Sequence, residues 1–191
     1  MKRFCLWLAV LVFLAPAAGA AEPAAPESAI ASGQAARSLL LDVDRAGHRL
    51  VAVGHRGHVV LSDDGGKRWR QAQSVPMRAT LTAVHFADER EGWIVGHDAA
   101  ILHTTDGGDT WELQHLAPEL ETPLFSLWFA DARHGLAVGA YGLAFRTENG
   151  GESWERKPSA IANTFARGQA WYDLCIAASP HDPDLVLLGG I

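Results

Sequence analysis

The sequence predicts an all-β protein, a β-propeller built from four-stranded antiparallel blades. Two observations support this: a unit of short apolar strands occurs three times, and each copy has the same ending. The tryptophans that close the copies are 42 and 43 residues apart. A period in the low forties with β-type alternation is typical of propeller blades. The copies are VAVGHRGHVVLSDDGGKRW (51–69), IVGHDAAILHTTDGGDTW (94–111) and AVGAYGLAFRTENGGESW (137–154).

Residues 1–20 are predicted to be a signal peptide. Lys2 and Arg3 precede an apolar run over 4–16, and the small residues Ala18-Gly19-Ala20 form a cleavage site. The apolar run is too short to span a bilayer, and no later segment is long enough. We therefore expect an exported protein, periplasmic or extracellular, that does not span a membrane.

The lead-in, residues 21–37, is rich in Ala, Pro and Ser and lacks periodicity, which predicts a disordered tether. Without the signal peptide, 14 basic and 22 acidic residues give a net charge of −8. This acidic balance argues against nucleic acid and anionic membranes as partners. Cys175 is the only cysteine after residue 20, so no internal disulfide is expected.

The propeller region is predicted to cover 38–191, with blades at 38–70, 81–113 and 124–156 and a half blade at 171–191. The inner strands are predicted at 38–43 (SLLLDV), 81–86 (LTAVHF) and 124–129 (LFSLWF). Closed propellers have about four to eight blades, and an open arc leaves unpaired edges and apolar faces. We therefore expect Ile191 not to be the natural end. If the chain is complete, self-association or a partner must complete the ring.

The shared ending has the form Ser/Thr-x-Asp-x-Gly-x-x-Trp. Asp or Asn can accept hydrogen bonds from nearby backbone N–H groups, Gly can adopt positive φ, and Trp can pack on the turn. Because each copy serves its own hairpin, we expect these residues to be structural, not catalytic and not calcium ligands. The three copies are Ser62, Asp64, Gly66, Trp69; Thr104, Asp106, Gly108, Trp111; and Thr147, Asn149, Gly151, Trp154.

This ending is the Asp-box, also called the BNR repeat, of sialidases, other glycosidases, sortilin-type receptors and photosystem II assembly factors. Over 39–154 the chain resembles the photosystem II stability and assembly factor family in three repeated motifs, F-x-D, G-W/L-x-V-G and T-x-D-G-G-x-T-W. Residues 171–190 resemble the blades of sortilin-type and xyloglucanase-type propellers. The resemblance to assembly factors implies a scaffold without catalytic activity or cofactor. Such a scaffold holds a membrane-complex subunit during assembly, in the thylakoid lumen where the host is photosynthetic.

The turns between the second and third strands are the predicted binding surface, because they lie opposite the Asp-box turns. The repeats agree on both sides of these turns and differ within them. Loops from each Trp to the next inner strand reach the same side. Arg56 is the first candidate, since a guanidinium can bind a partner's carboxylate with two hydrogen bonds. The predicted partner-binding residues are His55, Arg56, Arg78, His97, Asp98, Tyr141 and Arg167.

A carbohydrate-active propeller, as enzyme or sugar-binding module, is the alternative. A glycosidase needs two carboxylates about 5–10 Å apart; Asp98 is one candidate, with Glu119, Glu121 or Asp173 as its partner. A sialidase is disfavoured because no Phe-Arg-Ile-Pro segment precedes the boxes. No metal site is predicted, because the His spacings at 55/58 and 97/103 do not complete a tetrahedral ligand set.

Overall fold

The computed structural model describes residues 26–157, 175–178 and 186–189, and these form the partial β-propeller that the repeats predict. Three four-stranded antiparallel sheets follow one another in this part of the chain, each with its strands in sequence order. Blade 1 contains β1 (Leu40–Ala46), β2 (Arg49–Gly54), β3 (Val59–Ser62) and β4 (Arg70–Gln71). Blade 2 contains β5 (Leu81–Phe86), β6 (Gly92–Gly96), β7 (Ile101–Thr104) and β8 (Glu112–His115). Blade 3 contains β9 (Leu124–Phe129), β10 (Gly135–Gly139), β11 (Ala144–Thr147) and β12 (Glu155–Arg156).

A two-stranded antiparallel sheet, β13 (Cys175–Ala178) and β14 (Val186–Gly189), follows blade 3, and β13 lies next to β9. The helical elements in the described ranges are single 3₁₀ turns. No helix among the described residues is long and apolar enough to cross a membrane. The 3₁₀ turns are Ala35–Arg37, His55–Gly57, His97–Ala99, Pro118–Leu120 and Ala140–Gly142.

The core consists of the layers between successive blades. Between blades 1 and 2, Val51 and Leu61 pack against Ile94 and Trp111. The next layer joins blade 2 to blade 3. There the Trp93 and Phe129 rings stack with centroids 3.5 Å apart. Each blade is thus held mainly by apolar contact with its neighbours, which fixes the turns at both rims of the arc.

The inner strand of blade 1 differs from the prediction. The sequence predicts it at 38–43, but β1 covers Leu40–Ala46, and Leu40 pairs with Gly54 as Leu81 pairs with Gly96. The run SLLL gives no alternation from which to set the register. The main chain sets it instead: the Leu39 carbonyl accepts a hydrogen bond from the His55 N–H, and β1 continues to the hairpin at Gly47.

The lead-in also differs from the prediction, because residues 26–37 lie against blade 1. The Gln71 amide accepts a hydrogen bond from the Ser32 N–H at 2.9 Å and donates one to the Ile30 carbonyl at 3.0 Å. Ala35 is buried against apolar side chains of the blade. The lead-in contributes only backbone groups to these two hydrogen bonds, so its composition did not reveal them.

The three box tryptophans lie just before the fourth strands and not within them. β4, β8 and β12 each begin one residue after the tryptophan. The indole N–H explains this for Trp69 and Trp111, because each donates to the carbonyl of its own box glycine at 2.9 Å. The tryptophan therefore closes the turn before the strand begins.

Candidate functional site

The turns between the second and third strands share one backbone conformation in all three blades. The middle residue is left-handed in each, with φ of 59° at Arg56, 60° at Asp98 and 55° at Tyr141. The next residue also has positive φ, which glycine adopts without strain in blades 1 and 3. Side chains with different chemistry therefore occupy equivalent positions, and Tyr141 is 68% exposed.

The three turns form one continuous surface, which we call the turn face: His55–Gly57, His97–Ala99 and Ala140–Gly142, with the loop residues between them. Thr80 links the first two turns, because its carbonyl accepts from the His97 N–H at 2.9 Å and its hydroxyl lies 3.1 Å from the His55 Nδ1. Thr122 and Pro123 link the second and third turns in the same way, with their carbonyls accepting from the Ala99 and Ala140 N–H groups.

The blade 1 end of the turn face is basic. Arg56 and Arg78 lie on adjacent loops, because the backbones of Gly57 and Met77 are so close that a Cβ at Gly57 would be 2.0 Å from the Met77 carbonyl oxygen. Arg56 is exposed, whereas Arg78 forms an ion pair of 2.5 Å with Glu27 of the lead-in. The charge of Arg78, a predicted partner-binding residue, is therefore matched within the chain.

The middle of the turn face, from the second turn to the loop that leads to the third, carries the acidic residues Asp98, Glu119 and Glu121. Asp98 and the Pro118–Leu120 turn are tied together by a hydrogen bond of 2.9 Å from the Ala117 N–H to the Asp98 carbonyl. His115 lies at the base of this loop, 4.7 Å from the Phe145 ring between centroids. Burial lowers the pKa of His115 and outweighs the opposing effect of the nearby Glu119. The neutral imidazole is therefore favoured.

The structure therefore brings together most of the predicted partner-binding residues. His55, Arg56 and Arg78 lie at one end of the turn face, with His97 and Asp98 on the next turn and Tyr141 on the third. Arg167 and Asp173 lie outside the described residues. Sequence reasoning missed Glu27 and Thr80. The hydroxyl of Thr80 one residue before a strand is a weak signal, and Glu27 gave none within its irregular segment.

The Asp-box residues use their polar groups within their own turns. In box 1, Asp64 Oδ1 accepts from the Lys67 and Arg68 N–H groups, and the Ser62 hydroxyl accepts from the Gly66 N–H at 2.8 Å. Hydrogen bonds, with that from the Arg68 N–H foremost, lower the pKa of Asp64. A carboxylate held in this way is a turn stabiliser.

Box 3 keeps the same arrangement with an amide. Asn149 Oδ1 accepts from the Thr147 hydroxyl at 2.9 Å and from the Ser153 N–H at 3.0 Å. Box 2 has the equivalent bonds from Thr104 and Thr110 to Asp106. The local geometry therefore needs an acceptor oxygen at this position, and a negative charge is not required for it.

Three of the four histidines considered for metal binding, His55, His58 and His103, have other side-chain contacts. The His58 ring bonds to the Ser38 hydroxyl at 2.9 Å, and the His103 ring bonds to Glu91 at 2.8 Å while stacking on Trp93. Within 26–157 and the two short C-terminal strands, no group of three or more His, Cys, Asp or Glu residues is arranged to hold a metal ion.

Comparison with known proteins gives one family. The profile of Photosynthesis system II assembly factor YCF48 matches residues 29–124, half of the 191-residue chain. Photosystem II stability/assembly factor HCF136, chloroplastic, from Oryza sativa subsp. japonica is 32% identical over 91 residues, which cover 43% of this chain and 21% of that protein.

Two solved structures are similar in fold and sequence. YCF48 bound to D1 peptide has 26% identity and a TM-score of 0.57, over 72% of this chain and 45% of that one. YCF48 from Cyanidioschyzon merolae has 25% identity and a TM-score of 0.60, over 75% and 48%. The chain thus spans less than half the length of these relatives. Since the matched profile includes blades 1 and 2, the chain belongs to the Photosynthesis system II assembly factor YCF48 family.

Proposed function

We propose that this protein is an exported scaffold without enzymatic activity that binds a protein segment on its turn face and assists assembly or stability of a membrane complex. The observation that carries the proposal is the turn geometry: three side chains, Arg56, Asp98 and Tyr141, occupy the same left-handed position in successive blades. Non-glycine residues in this conformation are strained, and such positions cluster at binding sites.

The chemistry of the face favours a peptide with a carboxylate. Arg56 is exposed, and no ion pair involves it among the described residues. A guanidinium binds a carboxylate through paired hydrogen bonds, and Tyr141 offers aromatic area on the third turn. One related structure is described as bound to D1 peptide, so a subunit of photosystem II or of a comparable complex is the partner class that we propose. The site of action would be the periplasm or the thylakoid lumen.

To test this, fluorescence anisotropy measures the binding of a labelled D1 peptide to the wild type and to Arg56→Ala. We expect a loss of affinity of about tenfold, corresponding to one charge-assisted hydrogen-bonded pair. Arg68→Ala is the matched control, because Arg68 is also exposed but lies on a box turn at the opposite rim. A version of the peptide with its carboxylates converted to amides should bind both proteins weakly.

Equal binding by the wild type and Arg56→Ala would remove the proposed site. Absence of peptide binding by every protein would remove the proposed function. The carbohydrate alternative is checked on the same samples: release of sugar from glycans that is lost in Asp98→Asn would establish a glycosidase in place of a scaffold.

A further inference from the structure

We propose that Glu27 is an internal competitor for the turn face, holding Arg78 until a partner carboxylate takes its place. This inference rests on the proposed function, because it concerns regulation of the same site. The observation behind it is the ion pair of 2.5 Å between Glu27 Oε2 and Arg78 Nη1, which joins residues 51 positions apart. It places a carboxylate from the lead-in on the basic end of the turn face.

The segment 27–32, which we call the strap, is attached to blade 1 independently of Glu27. The Ala29 N–H donates to the Val75 carbonyl at 2.9 Å, and the Gln71 amide bonds to the backbone at Ile30 and Ser32. Ala29 also packs beside the first turn, with its Cβ 3.2 Å from where a Cβ at Gly57 would lie. The anchors keep the Glu27 carboxylate at a high local concentration near Arg78.

The Glu27–Arg78 pair is built to be exchangeable. The side chain of Glu27 is 77% exposed and that of Arg78 is 42% exposed, so water and salt screen the pair. Because the anchors begin at Ala29, Glu27 can leave Arg78 without detaching the strap. A peptide carboxylate that is positioned by Arg56 on the adjacent loop can then bind Arg78.

The experiment is a double-mutant cycle measured with the labelled D1 peptide at low ionic strength. It uses the wild type, Glu27→Gln, Arg78→Ala and the double variant. We expect Glu27→Gln to bind about two- to fivefold more tightly than the wild type, the range that follows from an exposed ion pair. On the Arg78→Ala background the same change should have almost no effect, because the cation for which Glu27 competes is absent. The gain should also shrink at high salt.

Glu119→Gln is the matched control, since it removes one negative charge from the same face at a residue without an ion pair to Arg78. Any general effect of net charge appears in this variant and persists when Arg78 is removed. The competition is overturned if Glu27→Gln binds no more tightly than Glu119→Gln, or if its gain survives in Arg78→Ala. If peptide binding depends on Arg56 but not on Glu27, the proposed function stands and the competition fails. If no variant binds the peptide, both fail.

Discussion

Arg49 of β2 reaches from blade 1 to Asp109 in the box turn of blade 2, with its Nη1 2.9 Å from Asp109 Oδ2. Arg70 approaches the same carboxylate, with Nη1 2.6 Å from Oδ1, and Arg49 Nη1 also donates to the Gly107 carbonyl at 3.1 Å. These contacts join neighbouring blades at the rim opposite the turn face. Since the turn face is assembled from several blades, such bridges help to keep its residues in a fixed arrangement.

Asp109→Asn should lower the free energy of unfolding by about 1–2 kcal/mol at neutral pH, because two guanidinium groups lose the carboxylate with which both of them pair. Burial alone would raise the pKa of Asp109, but the hydrogen-bonded ion pairs with Arg70 and Arg49 outweigh it and hold the pKa below its usual range. A carboxyl group whose pKa is lower in the folded than in the unfolded state stabilises the fold at pH values above its unfolded-state pKa. This stabilisation is lost as the pH falls through the folded-state pKa. The difference between the proteins should therefore disappear in acid. Urea unfolding across the pH range measures it.

Asp63→Asn is the control for this bridge, since Asp63 also contacts Arg49 but belongs to blade 1 and is 45% exposed. We expect a smaller loss of stability. Equal losses in both variants would show that the link between blades contributes nothing beyond an ordinary surface ion pair.

Gly57→Ala should destabilise the protein far more than Gly65→Ala, although both glycines have positive φ, 70° and 73°. A Cβ at Gly65 meets nothing within 4 Å, so only the backbone strain of about 1–2 kcal/mol applies. At Gly57 the Cβ would lie 2.0 Å from the Met77 carbonyl oxygen, and a further 1–3 kcal/mol is expected, about the cost of overpacking. Matched urea titrations give both values. Similar losses in the two variants would contradict the close approach of the two loops.

Asp106→Asn should leave stability nearly unchanged, within about 0.5 kcal/mol. Asn149 shows why: its Oδ1 accepts from a hydroxyl and a backbone N–H as Asp106 Oδ1 does, and its Nδ2 donates to the Ser153 hydroxyl at 2.9 Å. Asp106→Ala removes these bonds and should cost about 2 kcal/mol, with a similar loss for Asn149→Ala. Thermal unfolding of the three variants tests this. A large loss in Asp106→Asn would mean that the charge itself stabilises the box.

The blades were predictable because the repeated residues are ones that the backbone conformation of each box turn requires. A box glycine with positive φ, such as Gly108 at 90°, and a tryptophan three residues later recur at fixed spacing, so the position of each sheet follows. The inner strand of blade 1 was not predictable in register. Its leucines do not alternate, and main-chain pairing of Leu40 with Gly54 decides where it begins.

The candidate site was predictable only in part, for a related reason. Arg56, Asp98 and Tyr141 could be placed from the Val-Gly that precedes each turn. The strap could not, because it is held through backbone groups whose bonds leave no pattern in the side chains. Glu27 reaches Arg78 only because the strap follows this course along blade 1. The composition of the segment, taken alone, indicated a disordered tether.

Within the described residues, one face of blade 1 is not covered by another blade. Val43, Val84 and Leu127 hold equivalent positions, paired with Ala52, Ile94 and Ala137. Val84 and Leu127 are buried by the preceding blade, at 5% and 6% exposure, but Val43 is 55% exposed. A surface cavity of about 320 Å³ lies beside it, lined by Leu40, Leu41, Asp42, Val43, Ala52 and Trp69.

Val43→Thr and Val84→Thr form a matched pair that tests whether this face is open in solution. At Val84 the new hydroxyl enters an apolar layer, which should cost about 1–3 kcal/mol. At Val43 the change should stay within about 0.5 kcal/mol, because the hydroxyl remains in water. Equal costs in urea unfolding would show that something covers the face. Sedimentation velocity would then show whether a second copy covers the face, since a dimer appears as a heavier species. The stability should in that case also rise with protein concentration, because association stabilises the folded state by mass action.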